Sequence, residues 1–312
     1  MSEPFISIVT PSHNRAEMIH EAVKSVLAQA YTPCEHIIVD GASTDGTLDV
    51  LREYPHLQVL SEPDSGMYEA INKGLRVARG EIVGLLNTDD LYASGAFSAV
   101  VDAFAEHPEA LAAVGGAQIF STTLAGTQLI REDPPIRPDE FWQRVIQGHP
   151  VTNAWFFRAE VFERVGPMDT GYRFAADREF LIRCALAGVR PTPIPMILYR
   201  YRQHPGSATI SVEGSREAKR GAQRLLVLGE GMRLLEGFLA QQGIPSDVRG
   251  HLRDAHSATC YRAAATAFYH RRFKIGFHAV RQGLRHDPLW LLVFGRRAWH
   301  RLLQEFGLRQ PI

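Results

Sequence analysis

The sequence predicts an open α/β fold, a mostly parallel sheet with helices on both faces, followed by an α-helical C-terminal region. Three observations carry that prediction. Short apolar runs alternate with helix-periodic segments through residue 86, polar and acidic residues gather where those runs end, and long arginine-rich helical segments take over from residue 213. Strands that read as unbroken apolar runs, with helices between them, belong to parallel sheets covered on both faces.

The elements follow in order. FISIVT (5–10) is a β-rich run ended by Pro11-Ser12-His13-Asn14, and AEMIHEAVKSVLAQ (16–29) has apolar residues at helical spacing. EHIIVD (35–40) is a second strand closed by GASTDGT, TLDVLREY a short helix, and LQVLSE (57–62) a third strand leading into the loop PDSGM. YEAINKGLRVAR (68–79) is helical and stops at Gly80, and EIVGLL (81–86) is a fourth, nearly all-apolar strand. In such a fold, ligands sit at the carboxyl ends of the strands.

Those ends carry Pro11-Ser12-His13-Asn14-Arg15, Asp40-Gly41, Glu62-Pro63-Asp64 and Asn87-Thr88-Asp89-Asp90. Adjacent carboxylates at the exit of a buried strand need a positive partner. Asp89 and Asp90 can be an N-cap pair for the next helix, with Asp90 or Ser94 capping. They can equally hold a divalent cation that carries a diphosphate, since Mg²⁺ and Mn²⁺ take carboxylate and phosphate oxygens. The company of three other polar strand ends favours the cation. No GxGxxG or Walker A loop follows the first strand, so the usual dinucleotide and P-loop fingerprints are absent.

Composition sets the frame. The 312 residues suit one large domain with an appendage, or two domains. Basic and acidic side chains balance at 34 each, but unevenly: residues 1–215 hold 17 basic and 27 acidic, and residues 216–312 hold 17 basic and 7 acidic. The second unit is therefore suited to an anionic partner, or is a basic helical tail docked on an acidic body. Cys34, Cys184 and Cys260 are widely spaced, which argues against a disulfide framework and fits a reducing cytoplasm. The N-terminal MSEPFISIVT lacks the pattern of a signal peptide, and no window approaches 18 uninterrupted apolar residues.

The segments SIVTPSHNR, IIVDGASTDGT, EPDSGMYEAINKG and GEIVGLLNTDD, in this order, resemble the family 2 glycosyltransferases of the GT-A fold, over about residues 5–210. The resemblance implies inverting transfer of a sugar from a nucleotide diphosphate donor, a UDP-sugar by family expectation, to a hydroxyl of a glycan or lipid-linked acceptor. Hexosyl- or N-acetylhexosaminyl-transfer in cell-surface polysaccharide synthesis is the corresponding expectation. Residues 1–110 would form the nucleotide-sugar half and 111–212 the acceptor half, with 213–312 as the helical region. On the donor side the resemblance implies Pro11, Asn14, Arg15, Asp40, Gly41, Ser43, Asp64, Asn72, Lys73, Asn87, Thr88 and Asp89. Asp89 and Asp90 occupy the metal-binding acidic motif for Mn²⁺ or Mg²⁺, with Asp89 preferred as the inner ligand and His204 a further candidate. Where many relatives read Asp-x-Asp-Asp, this chain has Asn87, which brings no charge.

HPVTNAWFFRAEVFERVGPMDTGYRFAADREFLIRCALAG (149–188) resembles the family's acceptor-side segment. There the resemblance implies Asp177 as general base. Inverting transfer requires one, because the acceptor hydroxyl must lose its proton as it attacks. Asp177 can alternatively be a helix N-cap, and Ala176 stands where relatives often carry an acidic residue. His149, Asn153, Arg178 and Arg202 fall on the acceptor or diphosphate side.

Residues 215–243 form an amphipathic helix with an expected break near Gly229–Gly231, and 248–273 with 274–288 resemble a single tetratricopeptide-like hairpin. LWLLVFGRRAWHRLLQEF (289–306) mixes Trp290, Phe294, Trp299 and Phe306 with Arg296, Arg297 and Arg301, the chemistry of an interfacial helix on anionic lipid or of a packing helix. The expected location is cytoplasmic, with peripheral membrane contact through these basic helices. A homodimer is a further expectation, and no nucleic-acid partner is expected. Three rivals stay open: a nucleotidyltransferase of similar fold, which would leave a nucleoside monophosphate on its product, a non-catalytic nucleotide-sugar-binding relative, and a scaffold protein built on the C-terminal helices.

Overall fold

The computed structural model describes residues 3–123, 126–148, 151–204, 217–287 and 289–290. The chain divides into two compact units, Met1–Val212 and Glu213–Ile312.

The first unit is built on one nine-stranded sheet. β1 (Ile6–Ser12), β2 (Cys34–Asp40), β3 (Leu57–Ser61) and β4 (Ile82–Leu85) are its parallel half, in the order β3-β2-β1-β4. Between them lie α1 (Ile19–Leu27), α2 (Thr47–Arg52) and α3 (Met67–Val77). Both faces of these strands are buried, which is why they read as apolar runs. Ile6 and Ile8 pack with Ala22 and Val26 of α1 in the main core. The next residue in the alternation, Val9, faces α3: a Cβ on Gly74 would lie 2.4 Å from Val9 Cγ1 and 3.2 Å from Val39 Cγ2. Glycine at 74 is thus what lets α3 lie close on the sheet.

β5 (Leu91–Tyr92), α4 (Ala96–Glu106), β6 (Ala112–Thr123), β7 (Gly126–Asp133), α5 (Phe141–Gln147), β8 (Trp155–Arg158), α6 (Glu160–Val165), α7 (Ala176–Leu186) and β9 (Pro191–Arg202) complete the unit. The sheet continues β4-β8-β6-β9-β5, with β7 paired to β6. The α/β fold is the expected one. Its parallel order holds for β1 to β4 and for the β6/β9 pair, while β8 runs antiparallel to β4 and β6, β7 to β6, and β5 to β9. Antiparallel neighbours need no helical crossover, and the β6–β7 hairpin uses none.

One boundary shifts for a physical reason. β1 runs through Pro11 and Ser12, past the expected stop. Leu86 N donates to Val9 O and Gly41 N to Ser12 O, so the odd residues of β1 face β4 and the even ones face β2. Pro11 therefore presents its nitrogen to β4, whose pairing ends at Val9↔Leu85, and the missing N–H leaves no ladder partner wanting.

Among the described residues, the second unit holds α8 (Glu217–Ala240), α9 (Ser246–Tyr269) and α10 (Phe273–His286). The expected break at Gly229–Gly231 is not there, and α8 is continuous. Two helical glycines cost only about 1 kcal/mol each, and Leu225, Leu228, Met232, Leu234, Leu235 and Phe238 are buried along the same helix. The expected hairpin is α9–α10. A Cβ on Gly276 would come within 2.5 Å of Phe268, and one on Gly283 within 2.5 Å of Trp290. Residues 291–306, the expected interfacial helix apart from its first two positions, lie outside the described residues. No helix among the described residues is long and apolar enough to cross a membrane.

These contacts predict opposite signs for one substitution at two helical glycines. Gly74→Ala should lower stability by about 1–3 kcal/mol through overpacking against β1. Gly229→Ala, where nothing lies within 4 Å of an added Cβ, should raise it by about 0.5–1 kcal/mol. Urea unfolding of the two variants beside the native chain measures both.

Candidate active site

At the carboxyl ends of β1 and β2, two loops are sewn together by hydrogen bonds. Asn14, left-handed at φ 53°, donates its backbone N–H to Ser43 Oγ at 2.7 Å and accepts from Thr44 N at 2.9 Å. Arg15 N donates to Thr47 Oγ1 at 2.8 Å, and Ala16 N to Asp45 Oδ2 at 3.1 Å. Asp40 is fully buried, and its carboxylate accepts from Ser43 N, Ser43 Oγ and Ser61 Oγ. It holds its own loop in shape. Asp64 lies over the same loop: a Cβ on Gly41 would sit 2.6 Å from Asp64 Oδ2. Glycine at 41 thus makes room for the Asp64 carboxylate, which also accepts from Gly66 N. Asn14, Arg15, Gly41, Ser43 and Asp64 form one contiguous patch on this rim, with Pro11 buried beneath it.

The acidic turn after β4 is organised from the far end of the sheet. β5 pairs with β9, Leu91↔Arg200 and Tyr92↔Tyr199, which brings residues 199–204 against Asn87–Asp90. Asp90 is 1% exposed. It accepts from Arg202 N at 2.7 Å, Tyr199 Oη at 2.8 Å and Asn87 Nδ2 at 3.1 Å. Burial, and then the negative charge of Asp89, push the Asp90 carboxyl up to about 7. Asp89 is the open member of the pair: its Oδ2 lies 2.9 Å from His204 Nε2, and its side chain is 21% exposed. Thr88 is buried and Asn87 half-buried behind them.

These residues fit a divalent cation. One open carboxylate beside an imidazole is a suitable partial ligand set, to be completed by water and phosphate oxygens. A cation there would also relieve the repulsion that raises Asp90.

Asp177 sits in the first turn of α7, one residue inside the helix and not ahead of it. Its Oδ1 accepts from Arg178 N at 2.7 Å and its Oδ2 from Thr152 Oγ1 at 3.3 Å, and the Tyr68 hydroxyl also reaches it. Desolvation by burial is the largest influence and raises its pKa against the lowering effect of these donors. The neighbour of Thr152, Asn153, donates Nδ2 to Tyr199 Oη at 2.9 Å, and that same hydroxyl donates to Asp90. The acidic turn and the carboxylate of Asp177 are therefore held by one short segment, Thr152–Asn153.

Four expected site residues have protein partners of their own. Both ends of the Asn72 side-chain amide are bonded to the backbone of Met168, at 2.8 and 2.9 Å, so Asn72 ties α3 to the loop before α7. Lys73 binds Pro63 O and pairs with Glu62 and Glu69, which fastens the loop between β3 and α3. Arg178 donates to Ile146 O at the end of α5. Arg202 pairs with Glu21 at 2.5 Å and donates Nε to Asp89 O at 3.0 Å, so its guanidinium braces the acidic turn. His149 lies outside the described residues. Tyr199, Tyr68 and Thr152 were not singled out from the sequence. Each looks like an ordinary core or helix residue, and Tyr199 meets Asp90 across 109 positions of chain.

The family model described as Glycosyl transferase family 2 matches residues 7–166. An uncharacterized glycosyltransferase of Mycobacterium tuberculosis is 31% identical over 209 residues, covering 64% of this chain and 76% of that protein. A PGL/p-HBAD biosynthesis glycosyltransferase of Mycobacterium bovis is 28% identical over 190 residues, covering 59% and 71%. Among solved structures, S. aureus TarS 1–349 in complex with UDP-GlcNAc matches with a TM-score of 0.56 at 15% identity, over 93% of this chain and 91% of that one. The mannosyltransferase PcManGT from Pyrobaculum calidifontis, in complex with GDP-Man and Mn²⁺, matches with 0.54 at 20% identity, over 96% and 85%. At these identities the structural likeness speaks for the fold, which is that of the GT-A glycosyltransferases.

The Tyr199 hydroxyl serves three groups: Asp90, Asn153 and the N–H of Asn87. Tyr199→Phe strips Asp90 of one donor and leaves the Asn153 amide short of an acceptor. A loss of about 1–3 kcal/mol in unfolding free energy is expected, measured by urea denaturation.

Proposed function

Because the chain belongs to glycosyl transferase family 2, we propose that it moves a sugar, with inversion, from a nucleotide diphosphate donor to a hydroxyl of a glycan or lipid-linked acceptor. A uridine donor, a hexosyl or N-acetylhexosaminyl group and a role in cell-surface polysaccharide synthesis complete the proposal. The carrying observation is the bridge Asp90–Tyr199–Asn153 beside Thr152–Asp177, which ties an acidic turn to a buried carboxylate. The titles of the solved neighbours support the donor class and the cation: TarS is in complex with UDP-GlcNAc, and PcManGT with GDP-Man and Mn²⁺.

The roles divide as follows. Asn14, Arg15, Gly41, Ser43 and Asp64 form the surface on which the nucleotide rests, with Asp40 holding that surface from behind. Asp89, with His204 at its side, would hold Mn²⁺ or Mg²⁺, and Asp90 fixes the turn. The cation, when bound, supplies positive charge to the diphosphate. Asp177 accepts the acceptor hydroxyl's proton. The hydroxyl oxygen bonds to the anomeric carbon as the bond from that carbon to the diphosphate oxygen breaks, and the electron pair leaves with the nucleoside diphosphate. A carboxyl raised by burial is a stronger base once ionised, which suits this task.

A basic second unit, with Tyr269, Phe273 and Phe277 exposed beside Arg271, Arg272 and Lys274, supports peripheral contact with an anionic membrane that carries lipid-linked acceptor.

Nucleoside diphosphate release from a panel of uridine, guanosine and thymidine sugar donors, with Mn²⁺ and membrane extract, tests the proposal. Release from one donor is expected, abolished by EDTA and by Asp89→Ala. Asp177→Asn should lower kcat by about 10²–10⁴-fold with donor binding unchanged by calorimetry. The base acts only when ionised, so the rate should rise as pH passes through the ionisation that Asp177→Asn removes. Because burial raises the Asp177 pKa, the midpoint should lie above the ordinary aspartate value of about 3.9. Donor binding with unimpaired turnover in Asp177→Asn would overturn the assignment of the base, and the absence of donor binding would overturn the proposal.

A further inference from the structure

The second unit carries a cluster that sugar transfer does not use. Glu236 on α8, His256 on α9 and His286 at the end of α10 bring a carboxylate oxygen and two imidazole nitrogens within 4.8 Å of one another. Each helix contributes one ligand atom. His256 is fully buried, and its ring lies 4.8 Å from that of His286, centre to centre.

Hydrogen bonding does not account for the arrangement. Glu236 Oε1 is buried and has no hydrogen-bond partner. Its distance to His256 Nε2 is 3.5 Å, too long for a good hydrogen bond. It does match the edge of a tetrahedron around a metal with bonds of about 2.0–2.1 Å, where neighbouring ligand atoms stand roughly 3.4 Å apart. Cys260, one helical turn along α9, lies 3.6 and 3.8 Å from the two ring nitrogens of His256 and stays outside the cluster.

We infer that Glu236, His256 and His286 form a structural site for a Zn²⁺-like transition-metal ion that staples α8, α9 and α10 together. Two imidazoles and one carboxylate select such an ion over Mg²⁺ or Ca²⁺, which prefer oxygen throughout. The fourth position falls to water. Burial holds His256 in the neutral, ligating form, with its pKa pushed down to about 4. Burial also lowers His286; Glu236 opposes that shift, and Arg285 and Arg253 add to it. The site differs in kind from the oxygen-rich rim at Asp89, so the two answer to different metals.

The experiment is a titration of the full-length, metal-stripped chain with Co²⁺, read in the visible spectrum, followed by displacement with Zn²⁺. One equivalent of Co²⁺ should give the intense d–d absorption of a four-coordinate ion, and Zn²⁺ should bleach it. His286→Ala and the isosteric Glu236→Gln should each lose the band and weaken Co²⁺ binding at least about 100-fold. Asp89→Ala should keep it. Zn²⁺ should also raise the thermal unfolding midpoint of the native chain and leave that of His286→Ala in place. Circular dichroism checks that both variants keep their helices. Three outcomes would each overturn the inference: no four-coordinate band, a band that survives both helical-unit substitutions, or a band lost in Asp89→Ala.

Discussion

A carboxylate sealed at the end of a buried strand is the constraint on which the rim is built. Asp90 gives up nearly all of its hydration, and three donors from two distant parts of the chain replace it: Asn87 in its own turn, with Tyr199 and the N–H of Arg202 on β9. A buried charge without such partners would cost several kcal/mol. The two-residue strand β5 therefore has to pair with β9 in the observed register, because a slip of one residue would turn Tyr199 to the other face. That register also delivers Arg202 to Glu21 and His204 to Asp89.

The two acidic neighbours consequently have different duties. Asp90 spends its lone pairs on the protein and fixes the backbone. Asp89, more exposed and beside an imidazole, is free to meet a ligand. The same division recurs across the rim: Asp40 turns inward onto Ser43 and Ser61, while Asp64 lies over Gly41. Inward carboxylates shape loops, and outward ones offer charge, so the loops are organised before any ligand arrives. Preorganised charge of this kind is what makes electrostatic stabilisation effective in a site.

The parallel half of the sheet was legible because burial on both faces leaves a plain signature, an apolar run closed by polar residues. The rim was legible for the same reason, since parallel strands put their loops at one edge. What escaped the sequence depends on contacts between distant segments. Tyr199 in PMILYRY looks like a core aromatic, and only the β5/β9 pairing makes it the hinge between Asp90 and Asn153. Asn72, a polar residue on an amphipathic helix, looks free for a ligand, yet it is bound on both sides by Met168, 96 positions away. Arg202 looks like a cation for a diphosphate, and its contacts with Glu21 and the Asp89 carbonyl are invisible in the sequence. The continuity of α8 through Gly229 and Gly231 was hidden because local propensity argues for a break, and tertiary packing overrides it.

The central claim is a single in-line displacement at the anomeric carbon, with Asp177 drawing the proton from the attacking hydroxyl. The stereochemistry of the product tests it most directly. With the donor and acceptor in hand, the anomeric proton coupling of the first-formed product, read by NMR, gives its configuration. The account predicts inversion, a β-linked product from an α-linked donor. Retention of configuration would contradict it, since a single in-line displacement always inverts the centre it attacks.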